Sequence, residues 1–213
     1  MKSEQDIKRQ CRLARLQAEA FQYIPAARWR FDAAEETPPL KKAKDYAKHW
    51  EAFRREGIGL LLFGNVGTGK SYAAGCIANE LMEQQASVQF VSVSMFVSRM
   101  QGAGAAERES LMQQLLGADL LILDDLGAER STSYARERVF DLVSRRTLSG
   151  KPIIVTTNLS LTAMQKATEL EDRRIYDRIL ACCVPVLFDG ENFRRRKAAE
   201  NLKKAAEILG GRE

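Results

Sequence analysis

The octapeptide Gly64-Asn65-Val66-Gly67-Thr68-Gly69-Lys70-Ser71 constrains this chain more than any other stretch. It fits G-x-x-x-x-G-K-[ST], follows directly on the apolar run GLLLF (59–63), and opens a segment with helical patterning from 70 to 85. A strand, a glycine loop and a helix in that order converge the backbone N–H groups of residues 66 to 72 on one point. The helix N-terminus adds partial positive charge, and the glycines remove the Cβ atoms that would keep an anion away. Such a loop cradles phosphate. Lys70, expected to be a surface-facing point charge, would bridge the β- and γ-phosphates of ATP, and the Ser71 hydroxyl would be a ligand of the accompanying Mg2+. The predicted nucleotide-binding residues therefore run from Gly64 through Tyr72. A plain glycine turn is the alternative reading.

Downstream, apolar runs alternate with helical patterns. Strands are predicted at 59–63, 88–93, 119–124, 152–157 and 183–188, with helices at 70–85, 94–100, 107–117, 133–149, 160–180 and 192–209. Near-continuous apolar strands separated by helices call for an α/β fold, a five-stranded parallel sheet flanked by helices on both faces. The simplest topology inserts 152–157 between the phosphate-loop strand and strand 119–124. Upstream, residues 4–20 read as a basic helix carrying Ile7, Leu13 and Leu16, and 21–36 break that pattern, the stretch as a whole a tail and connector. One helix is predicted from Pro38 to Gly57, with Trp50 and Phe53 on its inner face and His49 outside. This gives a division into a basic N-terminal helix or tail (1–21), an ATPase domain (22–197), and a C-terminal helix and tail (198–213).

Composition excludes several function classes. No run approaches the roughly 18 to 20 apolar residues needed to cross a bilayer, and the start MKSEQDIKRQ lacks an apolar signal core, so a cytoplasmic location without membrane contact is expected. Cys11, Cys76, Cys182, Cys183 and the lone His49 offer no zinc-ligand spacing. Cys182 and Cys183 are expected to alternate across a strand as small hydrophobes. A net charge of +5 permits an anionic partner such as nucleic acid without requiring one.

A second cluster of chemistry lies at the end of Leu120-Leu121-Ile122-Leu123-Asp124-Asp125. Carboxylates at the end of a buried strand are costly unless a cation meets them. Asp124 is the predicted Mg2+ holder, through water, and Asp125, pointing elsewhere, the base that polarises the attacking water. Either could instead be a turn or capping acid. Asn158, closing strand 152–157, would sit near the γ-phosphate and orient that water, or simply cap a loop.

Taken together, GNVGTGKS, LILDDLGAE (121–129), TTN (156–158), RRIYDRI (173–179) and NFRRR (192–196) resemble the AAA+ ATP-binding domain of the bacterial DnaC/DnaI helicase loaders, with the IstB transposition ATPases close by. The resemblance covers about residues 22 to 197. It implies a P-loop core and, with room for one helix after 183–188, no multi-helix lid. It implies that Arg178 is an arginine finger acting on a neighbouring subunit, and Arg194 a sensor contacting nucleotide in its own. An ion pair with Asp177 or Asp172, and plain solvation in a basic run, are the respective alternatives.

The resemblance further implies single-stranded DNA binding through Thr132 and Tyr134, a replicative helicase as partner, and ATP-dependent head-to-tail self-assembly. Two departures stand out. Gln101 to Ala106 lacks the aromatic DNA-binding helix of the loaders, leaving Phe96 as core and DNA affinity modest. And about 20 basic helical residues stand where the loaders usually carry a helicase-binding domain, the chain being either a fragment or a shortened relative. The expected function is a slow, Mg2+-dependent ATPase of DNA replication that helps load a helicase. An IstB-like transposition ATPase, a nucleotide-gated DNA-binding module and a small-molecule kinase are the alternatives.

Overall fold

The computed structural model describes residues 4–21, 25–127 and 132–210. Five strands, β1 (Gly59–Gly64), β2 (Val88–Ser92), β3 (Leu120–Leu126), β4 (Ile153–Thr157) and β5 (Cys183–Phe188), form one all-parallel sheet in the order β2-β3-β4-β1-β5. β4 thus lies between β1 and β3, and the carboxyl ends of these three strands stand side by side.

Helices cover both faces, and the strands alternate between them with period two. Leu60, Leu62, Leu120, Ile122 and Ile154 face one core, packed against α1 (Glu4–Ala20), α2 (Pro38–Lys48) and α4 (Lys70–Glu83). Leu61, Leu121, Leu123, Ile153 and Val155 face the other, under α5 (Val93–Gly102), α6 (Ala105–Gly117), α7 (Ser133–Leu148) and α9 (Leu170–Cys182). Apolar residues occupy consecutive strand positions because both faces are covered. Phe96 is fully buried, as expected for core.

Four readings need correction. Residues 4–21 are not a tail: Leu13 and Leu16 pack on the first core, and the Phe21 ring meets Phe90 at 5.8 Å. The predicted helix 38–57 is two, α2 and α3 (Trp50–Glu56), broken at His49, whose φ and ψ of −103° and 24° end one helix and start the next. His49 itself is exposed. The predicted helix 160–180 is likewise two, α8 (Leu161–Gln165), capped by Ser160, and α9. Cys182 ends α9 and Cys183 begins β5, so the pair straddles a helix–strand junction, with both thiols free. The part of the connector at 22–24 lies outside the described residues.

Arg146 fixes the end of the sheet opposite the phosphate loop. It is fully buried, and its guanidinium donates to the carbonyls of Pro152, Leu116, Ala118 and Asp119 at 2.7–3.1 Å, joining the end of α6 to the starts of β3 and β4. Each buried carbonyl left without a donor costs about 1–3 kcal/mol. Arg146→Met is expected to destabilise the fold by more than about 3 kcal/mol, seen as a lower urea midpoint.

Candidate nucleotide-binding and hydrolysis site

The loop after β1 is built by backbone conformation. Gly64, Gly67 and Gly69 have φ of 126°, 80° and 96°, values that L side chains resist, and Thr68 ties the turn by donating to the Asn65 carbonyl at 2.8 Å. Lys70 and Ser71 follow in the first turn of α4. Lys70 is not surface-facing: it is only 7% exposed, and its ammonium donates to the carbonyls of Gly64 (2.9 Å) and Asn65 (2.6 Å). Burial lowers its pKa, opposed by the negative charges of Asp125 and Asp124.

The start of α10 (Phe193–Ile208) closes on the loop from outside. Asn192 caps α10 through Arg195 N–H and donates to the Val66 carbonyl at 3.0 Å, while Phe193 N–H donates to the Gly67 carbonyl at 2.9 Å. A Cβ at Gly67 would stand 2.2 Å from Asn192 Oδ1, so glycine is required there for space as well as for φ. The carbonyls of residues 66 and 67 are thus turned outward to α10.

Beside the loop, the two acids diverge. Leu123 of β3 is level with Val155 of β4 and Leu126 with Thr157, so Asp124 and Asp125 together oppose the single residue Thr156. This β-bulge carries Asp125 into the left-handed region at φ 62°. Asp124 accepts the Thr156 hydroxyl at 2.7 Å, and Ser71 stands close enough to pull its pKa down. Asp125 instead accepts Asn158 Nδ2 at 3.2 Å. The acids therefore point apart, Asp124 toward Ser71 and Asp125 toward Asn158.

Burial, reinforced by Asp125, raises the Asp124 pKa despite hydrogen bonds from Thr156 and Ser71 and the charge of Lys70. A buried carboxylate in direct contact with a hydroxyl is an all-oxygen donor set, suited to a hard cation. No group of three or more His, Cys, Asp or Glu side chains among the described residues could hold a metal alone. Mg2+ is commonly held by one or two protein ligands plus substrate phosphates and waters, and Asp124 and Ser71 are the residues that would supply the protein's share here.

The remaining predicted residues divide. Arg194 acts on Lys70 electrostatically, which puts it on the phosphate-loop side of the domain. Arg178 Nε donates to Ser144 of α7 at 2.8 Å, and its guanidinium lies 5.0 Å from the Phe140 ring centre. Asp172 pairs with Arg136 at 3.2 Å, and among the described residues no carboxylate forms an ion pair with Arg178. Thr132 caps α7 by accepting Ala135 N–H at 3.2 Å, and Tyr134 donates its hydroxyl to the Met100 carbonyl at 2.8 Å. Both side chains have work inside the fold. Ala128 and Glu129 of the LILDDLGAE stretch, with Arg130 and Ser131 of the loop before Thr132, lie outside the described residues.

Three contributors escaped the sequence reading. Thr156 holds both acids, Asn192 pins the loop, and Phe140 seats Arg178. The first had a signal: a hydroxyl near the end of an apolar strand must find a partner once buried.

The family described as IstB-like ATP binding protein matches residues 1–201. The chain belongs to that family. It is a P-loop ATPase of the AAA+ fold, as its relatives reflect. It is 29% identical over 174 residues to the replicative helicase loader DnaC of Escherichia coli K12, covering 79% of this chain and 68% of DnaC. To the loader DnaI of Bacillus subtilis 168 it is 33% identical over 150 residues, 65% of this chain and 48% of DnaI. An ATP-binding protein in an insertion sequence of Mycobacterium tuberculosis is 27% identical over 145 residues, 66% of this chain and 57% of that protein. Among solved structures, DnaI superposes with a TM-score of 0.66 at 24% identity, covering 80% of this chain and 94% of that one. The DnaC loader gives 0.63 at 20%, covering 75% and 96%.

Proposed function

We propose that this family member is a Mg2+-dependent ATPase that assists in loading a replicative helicase on single-stranded DNA. The observation that carries the ATPase half is the pair of diverging acids beside the phosphate loop: Asp124 against Ser71, Asp125 against Asn158. One acid is set to hold the cation with Ser71, while the other, aimed by Asn158, polarises the attacking water. Bound Mg2+ supplies charge neutralisation at the phosphates. Residues 64–72 hold the triphosphate and Arg194 contacts it in cis. Arg178 is offered to a neighbour's γ-phosphate in a head-to-tail assembly. Similarity to the DnaC and DnaI loaders supports the replication half.

Single-turnover ATP hydrolysis with and without single-stranded DNA, together with capture of the replicative helicase from the same genome, tests the reading. Hydrolysis that ignores Mg2+, or a protein that captures a transposase in place of the helicase, overturns the corresponding half. The second outcome is a genuine competitor, since the matching family is named for IstB and one relative lies in an insertion sequence.

DNA contact is assigned to Thr132 and Tyr134. Tyr134→Ala is expected to weaken single-strand binding in ATP by about 1–3 kcal/mol, with little change in ATP affinity. Because the Tyr134 hydroxyl also holds Met100, the melting temperature is to be measured alongside fluorescence anisotropy of a labelled oligonucleotide. Equal loss with duplex, or no binding at low salt, removes the assignment.

A further inference from the structure

We infer that Thr156 is the positioning residue for hydrolysis, its single hydroxyl setting the metal-side acid and the water-side acid at once. The inference rests on the ATPase reading above and adds a residue to it. The bulge opposes two residues of β3 to one of β4, so a ladder partner is missing for the backbone there. The Asp125 N–H finds its partner in Thr156 Oγ1, at 2.9 Å. With Oγ1 accepting from that N–H, the hydroxyl's own hydrogen is directed to Asp124 Oδ1, 2.7 Å away.

The chain N–H → Oγ1–H → Oδ1 has one sense only, because a backbone amide cannot accept in return. It occupies one lone pair of Asp124 and leaves the others for Ser71 and a cation. It also fastens the backbone of Asp125 in its left-handed conformation, from which the side chain reaches Asn158 and not Asp124's partners. Next along β4, Thr157 accepts Leu159 N–H at 3.1 Å and donates to the Leu126 carbonyl at 2.7 Å, securing the far end of the bulge. Thr157 fastens backbone to backbone, whereas Thr156 alone reaches a carboxylate. At 1% exposure Thr156 has no water to replace these bonds, and its branched Cβ restricts the hydroxyl's rotamer.

The test compares wild type, Thr156→Val and Thr156→Ser. Valine keeps the shape and loses both hydrogen bonds, and serine keeps the hydroxyl. Three readouts are taken: affinity for a fluorescent ATP analogue in EDTA and in Mg2+, steady-state kcat and KM, and hydrogen exchange of the Asp125 amide in nucleotide-free protein. Thr156→Val is expected to bind in EDTA as wild type does. It should lose about 10- to 100-fold of the Mg2+ enhancement or of kcat, the range for removing a partner that orients a metal ligand. Its Asp125 amide should exchange faster, and serine should restore all three readouts.

Valine with wild-type Mg2+ response and kcat overturns the inference, as does serine behaving like valine. Should the valine protein fail to fold, Thr156→Cys, a weak donor and acceptor of similar size, carries the same expectation and the same overturning result. Wild-type protein whose affinity ignores Mg2+ overturns the metal assignment and Thr156's role with it. A wild-type Mg2+ response and kcat, both carried unchanged into valine, overturn Thr156's role alone.

Discussion

Lys70→Ala protein is expected to remain folded and to lose ATP affinity by about 100-fold or more. Hydrogen bonds to charged groups contribute about 1.5–3 kcal/mol each, and a factor of ten in affinity corresponds to about 1.4 kcal/mol. The lysine's present partners are the Gly64 and Asn65 carbonyls, and in the proposed site ATP phosphates would compete with them for the same ammonium. Asn65 is exposed and Gly64 half-buried, so water can take over much of the hydrogen bonding when the ammonium goes. The stability loss should therefore stay under about 2 kcal/mol. Titration with a fluorescent nucleotide, with circular dichroism as the fold control, decides the matter. Wild-type affinity in a folded Lys70→Ala protein would remove the phosphate-loop assignment.

Arg178→Ala is expected to keep ATP affinity and to lose stimulated hydrolysis by about 10³-fold or more, the range for an arginine supplied to a phosphoryl transition state. Arg178 is seated on Phe140 and Ser144, and no carboxylate among the described residues pairs with it, so its guanidinium is placed to meet another anion. Mixed with Lys70→Ala protein it should recover part of the activity, because in a head-to-tail assembly one mutant can supply the finger and the other the intact loop. Serial dilution across the assembly concentration separates this from a role in cis. Absence of rescue in assembled mixtures, or a kcat within a few-fold of wild type, argues for structural anchoring of α9 on α7.

The fold was legible because its signals are local and strong. A glycine loop with φ above zero at three residues leaves few alternatives between strand and helix, and runs such as Leu120–Leu123 announce strands covered on both sides. Helix boundaries were less legible. Nothing about His49 in the sequence marks a break between Tyr46 and Trp50, both of which reach the core. Gly57, by contrast, ends α3 at φ 67° and was readable as a stop.

In the site, Asp124, Asp125 and Asn158 could be named because carboxylates and an amide at strand ends are conspicuous. The bulge that separates the acids depends on the register of β3 against β4, a property of two strands and not of either alone. The burial of Lys70 depends on its own loop folding back. The docking of Asn192 on Val66 joins parts of the chain that no local pattern connects.

The strand order also dictates when the site can exist. β1 is made early, yet its ladder partners are β4 and β5, the last two strands of the chain. Contacts so distant in sequence carry a loop-closure penalty that delays their formation during folding. The glycine loop thus emerges attached to a strand that has no neighbours. Thr156 and Asn158 join the acids only when β4 slides between β1 and β3. A nucleotide that engages all of these groups stabilises the finished sheet and not its precursors, so ligand and late strands close the fold together.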